Sequence, residues 1–113
     1  MTARNKLLTA PPYPVEQTLK RLGANLRTAR LRRNLTIDEM AEKIGTGDRA
    51  VAAAEKGKPS TGIAVYAAML WTLDLLDQMA DVALPEKDVE GQTLALSRER
   101  ARARPKAGLN NDF

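Results

Sequence analysis

With 113 residues, 43% of them apolar and 28% charged, the chain has ordinary globular composition and room for one modest core. It contains no cysteine and no histidine, which excludes disulfides, thiol nucleophiles, histidine bases and nearly every zinc arrangement. Charge is unevenly placed: residues 1–33 carry eight basic and one acidic residue, residues 59–97 one basic and six acidic, and residues 98–113 five basic and two acidic.

Residues 1–14 read as an extended N-terminal arm. Leu7 and Leu8 are too short an apolar run for a signal peptide, and Pro11, Pro12 and Pro14 favour polyproline-like chain. No run of about 18 apolar residues occurs, so a soluble, cytoplasmic protein without membrane contact is expected. From there apolar residues fall at Val15, Leu19, Leu22, Leu26 and Ala29, the spacing of one helical stripe. This predicts a first helix over Val15–Arg33, ended by Asn34, which tolerates left-handed backbone.

Thr36-Ile37-Asp38-Glu39 is a capping box that opens a second helix of about two turns, with Met40, Ala41 and Ile44 inward and Gly45 as its stop. Thr46-Gly47-Asp48 starts a third helix, Arg49–Lys56. Val51 and Ala54 face inward, the small Ala52 and Ala53 face the other way, and Gly57 and Pro59 close it. Ser60 or Thr61 is expected to cap a fourth helix whose stretch Ile63–Trp71 is apolar almost all round. A helix without a polar face is buried on more than one side, and a partner subunit is the natural cover in so small a chain. Val65, Met69, Trp71, Leu75, Leu76 and Met79 are the expected dimer interface.

A further short helix ends before Pro85. The main domain is thus read as residues 15–84, and residues 85–113 as a C-terminal extension. In that extension a helix over about Asp88–Arg104 ends at Pro105, and a flexible tail follows. No internal repeat and no alternating strand pattern occurs, so the fold class is all-α, with five helices in the main domain. No carboxylates pair at a catalytic spacing. Neither an enzyme nor a cofactor, metal or small-molecule ligand is expected.

The segment TIDEMAEKIGTGDRAVAAAEKGK, Thr36 to Lys58, resembles the helix-turn-helix of the Cro and phage-repressor (XRE) family. The match lies at Ala41, Gly45, Val51, Glu55 and Gly57, with Met40 and Ile44 in register. The resemblance implies that the third helix enters the DNA major groove N-terminal end first. Gly47, Asp48, Arg49, Ala50 and Ala53 are then the candidate base-reading positions. Arg49 suits guanine O6 and N7, while Asp48 either accepts from a cytosine amino group or sits as an acid on the helix dipole. Phosphate contacts would come from Arg27, Thr36, Lys43, Lys56 and Lys58, although each lysine reads equally well as a solvated surface charge. Glu55 would form a structural ion pair with Arg30 rather than act as a catalytic carboxylate.

The flanking stretches TLKRLGANLRTARLRRNLT and KPSTGIAVYAAMLWTLDLLDQMADVALP, with the terminal LNNDF, look like HipB-type antitoxin regulators, the DNA-binding partners of HipA-type serine/threonine kinase toxins. That likeness implies a homodimer on a palindromic double-stranded operator, repression of its own toxin-antitoxin operon and a complex with the kinase. One departure stands out. HipB proteins follow the fourth helix with a strand that pairs across the dimer, whereas Leu73–Ala83 reads as helix here. Phe113 reads either as an insert into a partner or as a frayed end. Two other readings stay open: a regulator without a toxin, and a helical interaction module whose Ala50–Ala54 face no longer reads bases.

Overall fold

The computed structural model describes the backbone of residues 5–111 and the side chains of residues 5–103. Residues 1–4 of the expected arm, and Phe113, lie outside the described residues. All regular structure among the described residues is helical, as the sequence reading expects. No helix among them is long and apolar enough to cross a membrane. The chain divides into two units, residues 1–79 and 80–113.

In the first unit, α1 is a single turn, Lys6–Thr9, capped by the Asn5 side chain, which accepts from the Leu7 N–H at 2.9 Å. This corrects the expectation of a wholly extended arm: an Asn cap suffices to close one turn before the prolines. α2 spans Tyr13–Arg32 and so begins two residues earlier than the apolar stripe suggests. Pro12 supplies the extended N-cap position and Pro14 lies in the first turn, where its missing N–H would have had no helical partner anyway. The helix ends through Asn34, which takes the left-handed φ of 56°. Leu26 is buried, Leu22 and Ala29 pack beside it, and Val15, at the far end of the stripe, is exposed.

α3, Ile37–Ile44, starts on the capping box. The Thr36 hydroxyl accepts from the Glu39 N–H, and the Glu39 carboxylate accepts from the Thr36 N–H, both at 3.0 Å. The hydrogen bond from the Thr36 N–H is the main cause that holds the exposed Glu39 carboxyl below its ordinary value. A carboxyl whose folded-state value is depressed contributes stability above its unfolded value and loses it as pH falls through the folded one. Thr36→Ala is therefore expected to cost about 1 kcal/mol at neutral pH. Glu39→Gln should narrow the gap between the urea midpoints at neutral and acidic pH; an unchanged gap would remove Glu39 from the acid response.

Gly45, with a φ of 78°, turns the chain into α4, Asp48–Glu55, and Gly57, with a φ of 69°, ends it. α5 spans Ile63–Thr72. Its N-cap is Gly62, not Ser60 or Thr61, and no side chain bonds the first turn. Leu73 closes α5, Asp74 adopts a left-handed φ of 62°, and a 3-10 helix runs over Leu76–Asp81.

The core lies where α2, α3, α4 and α5 meet. It holds Leu26, Met40, Ala41, Val51, Ala54, Tyr66, Met69, Leu70 and Leu73. Each fully buried Leu, Met or Val among them contributes about 1.5–3 kcal/mol. Met69 is one of the residues with no exposed surface, which corrects its assignment to a dimer interface. Because α5 is apolar on every side, its sequence alone does not show which side faces its own core. Val65, Leu75 and Met79 are half-buried against that core, while Trp71 and Leu76 are exposed. Met79 is the last side chain on the core and Val82 is 73% exposed, so the unit ends at Met79 rather than at Leu84.

The second unit comprises a 3-10 turn, Pro85–Lys87, and α6, Val89–Asn111. Asp88 caps α6 by accepting from the Gly91 N–H at 3.0 Å. α6 continues through Pro105, contrary to the expectation that it ends there. Proline removes one N–H and costs about 3 kcal/mol inside a helix, but it does not forbid one. Residues 106–111 are accordingly helical rather than tail.

Candidate nucleic-acid interface

The surface that could meet a duplex is built on α3, the turn Gly45-Thr46-Gly47 and α4. The left-handed Gly45 closes α3, with the Thr46 N–H donating to the Ala41 carbonyl at 3.0 Å, and Gly47 is the extended N-cap of α4. α4 turns Val51 and Ala54 into the core. At 100° per residue, the opposite side carries Arg49, Ala52, Ala53 and Lys56, with Arg49 and Lys56 about two turns apart. Arg49 and Lys56 are exposed, and the two alanines between them leave the helix flat enough to lie close to another surface.

The other base-reading candidates fall in different places. Gly47 and Asp48 are exposed at the tip of α4, whereas Ala50 is half-buried and lies to one side of the outward face. Asp48 occupies the first turn but makes no capping hydrogen bond, so it acts on α4 as a charge at the positive helix end. Ala52, read from the sequence as outward but not among the base-reading positions, lies between Arg49 and Lys56. It also lines an open groove with Arg49, Asp48, Asp38 and Leu35, where the end of α2 meets the starts of α3 and α4.

Among the phosphate candidates, Lys56 and Lys58 flank Gly57 at the end of α4, and Arg27 and Thr36 are exposed. Lys43 is not brought to this surface. It borders a depression with Trp71 and Thr72, on the other flank of α3.

α4 is held to α2 by a buried fork. Arg30 Nε donates to Glu55 Oε2 at 2.6 Å and a terminal guanidinium nitrogen donates to Oε1 at 2.9 Å, with both side chains about 5–6% exposed. The other terminal nitrogen donates to the Leu35 carbonyl at 2.6 Å. The guanidinium thus ties together α2, the chain entering α3 and the end of α4. Hydrogen bonding to Glu55 holds Arg30 above its ordinary value against the opposing effect of burial.

A second anchor has no counterpart in the sequence reading. Gly23 is buried within α2, and a Cβ there would stand 2.5 Å from the carbonyl oxygens of both Ala54 and Glu55. The absent side chain is what lets α4 seat its last turn on α2. A glycine inside a twenty-residue helix, where it is unfavourable by about 1 kcal/mol, is the signal that marks it.

Residues 26–70 match the model of the helix-turn-helix family HTH_3, a span that begins within α2 and ends within α5. No curated protein and no solved structure is significantly similar to the chain. The match, which covers less than half of the chain, supports a DNA-binding transcriptional regulator with a helix-turn-helix of the Cro and phage-repressor type.

Proposed function

We propose that the protein is a sequence-specific transcriptional repressor that lays α4 into the major groove of a palindromic operator and binds it as a homodimer. The observation that carries this reading is the outward face of α4: one exposed guanidinium, two alanines and an exposed lysine on a helix locked to the core by Arg30 and Glu55. Arg49 reads a base edge, Ala52 and Ala53 permit close approach or touch thymine methyls, and Lys56 and Lys58 meet phosphates. Asp48 spends no hydrogen bond on capping, so its carboxylate serves as a charge at the positive end of α4 and is free to accept from a cytosine amino group. The outer side of α5, with Ile63 and Trp71 68% and 64% exposed, supports pairing of two copies.

The test is a mobility shift on the DNA upstream of its own gene. Arg49→Ala should lose about 1–3 kcal/mol of preference for the operator over other sequences. Lys56→Ala should weaken all sequences alike and reduce the salt slope by about 1. Identical profiles for the two variants would overturn the division between base and phosphate contacts.

The finer reading, an antitoxin that partners a HipA-like kinase toxin, rests on the likeness of the flanking stretches to HipB-type regulators. Co-purification of the chain with a kinase encoded beside it is the measurement that decides it. Failure to retain such a kinase favours a stand-alone regulator, with the operator reading untouched.

A further inference from the structure

The second half of α6 carries a charge run that serves no purpose within its own unit. Residues 98–106 hold Arg98, Arg100, Arg102, Arg104 and Lys106 against Glu99 alone. Arg98, Arg100 and Arg102 are exposed, and none forms an ion pair among the described residues.

Three internal explanations fail. Pairing along the helix is not made: Glu99 and Arg102 have a favourable three-residue spacing but form no ion pair, and Arg98 with Arg102 and Arg100 with Arg104 are like charges at four-residue spacing. The helix dipole favours cations only near the last turn, and α6 runs on to Asn111, well past Arg102. Arginine stems can cover apolar surface, yet Val89, Leu94 and Leu96 remain 69%, 57% and 54% exposed. Among the described residues no acid offsets these guanidiniums, and the partner they suit is one that carries negative charge.

Two kinds of polyanion differ in what they ask of the helix. A membrane surface needs an apolar stripe opposite the charges. At 100° per residue, Leu94 points away from Val89 and Leu96, and Arg100 falls on the side of Val89, so no stripe forms. Duplex phosphates ask only for exposed cations, and they suit a chain whose reading helix offers a single arginine, since phosphate neutralisation dominates affinity.

We propose that Arg98 and Arg102, one turn apart on the same face of α6 and opposite Arg100, bind backbone phosphates of duplex DNA, as a sequence-independent contact separate from the helix-turn-helix. The inference rests on the reading of the chain as a DNA-binding protein.

The test uses the full chain and a short duplex of arbitrary sequence, with binding followed by fluorescence anisotropy between roughly 50 and 200 mM salt. The double variant Arg98→Gln, Arg102→Gln should lower the slope of log affinity against log salt by about 0.9 for each lost phosphate contact, about 1.8 in all. Affinity at the lower salt should fall at least about tenfold. The matching Arg→Lys double should restore most of the slope, because a phosphate accepts either cation. Circular dichroism of all three proteins should agree, since glutamine and arginine have similar helix propensity.

An unchanged slope in the glutamine double, with wild-type binding intact, overturns this inference and leaves the operator reading standing. Wild-type protein that binds no duplex at any salt overturns both. Binding to phosphatidylserine vesicles that is lost in the glutamine double, while duplex binding is not, overturns it in favour of a membrane.

Discussion

Glu55→Ala is expected to unfold the domain at far lower urea than wild type, with a loss of about 3–5 kcal/mol. The reasoning turns on what the variant leaves behind. The Arg30 guanidinium is 6% exposed and spends two of its nitrogens on Glu55. Without the carboxylate, only the Leu35 carbonyl remains to it, and a buried charge stays largely uncompensated. An exposed ion pair is worth only about 0–1 kcal/mol, so the two regimes are readily told apart by chemical denaturation. A loss below about 1 kcal/mol would mean that the fork behaves as a surface pair. The pair need not be the most stable solution for the space it fills. Replacing both partners by apolar residues of similar volume is often neutral or stabilising in other proteins. Replacing both Arg30 and Glu55 should therefore cost less than removing either alone. Such a variant would still lose the link from α2 through Leu35 to the start of α3, and with it the fixed angle at which α4 is presented.

Local chemistry was the most legible part of the fold. The Thr36 and Glu39 box, the left-handed Asn34 and the stop at Gly45 follow from side-chain hydrogen bonding and backbone sterics within a few residues, and each appears in the structure as its chemistry dictates. Phase was harder to read where polarity gives no contrast. α5 has almost no polar residue, so Met69 and Trp71 look alike in sequence, although one lies in the core and the other is 64% exposed. On α4, by contrast, the spacing of Val51 and Ala54 sufficed to place Ala52 and Ala53 outward. Prolines misled in both directions. Pro14 opens a helix that it was expected only to precede, and Pro105 sits inside one that it was expected to end, because the cost of proline depends on which N–H the helix needs. Close approach between elements far apart in the chain was not readable at all, and Gly23 is the case in point.

Gly23→Ala tests that approach, and two opposed effects decide its sign. Alanine is the better helix former, by about 1 kcal/mol at an interior position. Against this, the new methyl would stand 2.5 Å from the Ala54 and Glu55 carbonyl oxygens. Both obstacles are backbone atoms at the end of α4, and neither moves unless the helix shifts. Overpacking of this kind costs about 1–3 kcal/mol, and with no flexible side chain to yield, the upper end applies here. The expected result is a net loss of about 2 kcal/mol, read as a lower urea midpoint with little change in its slope. The shift should also loosen the Arg30–Glu55 fork, because Glu55 is one of the two residues displaced. Gly23→Ala combined with Glu55→Ala should accordingly destabilise by less than the sum of the two single losses. Gly45→Ala supplies the comparison. Its φ is 78° but no atom lies within 4 Å of the added Cβ, so it carries only the left-handed penalty of about 1–2 kcal/mol. If Gly23→Ala proved as stable as wild type, α4 would have room to lift from α2. The rigid presentation of Arg49 would then have to come from the Arg30–Glu55 fork alone.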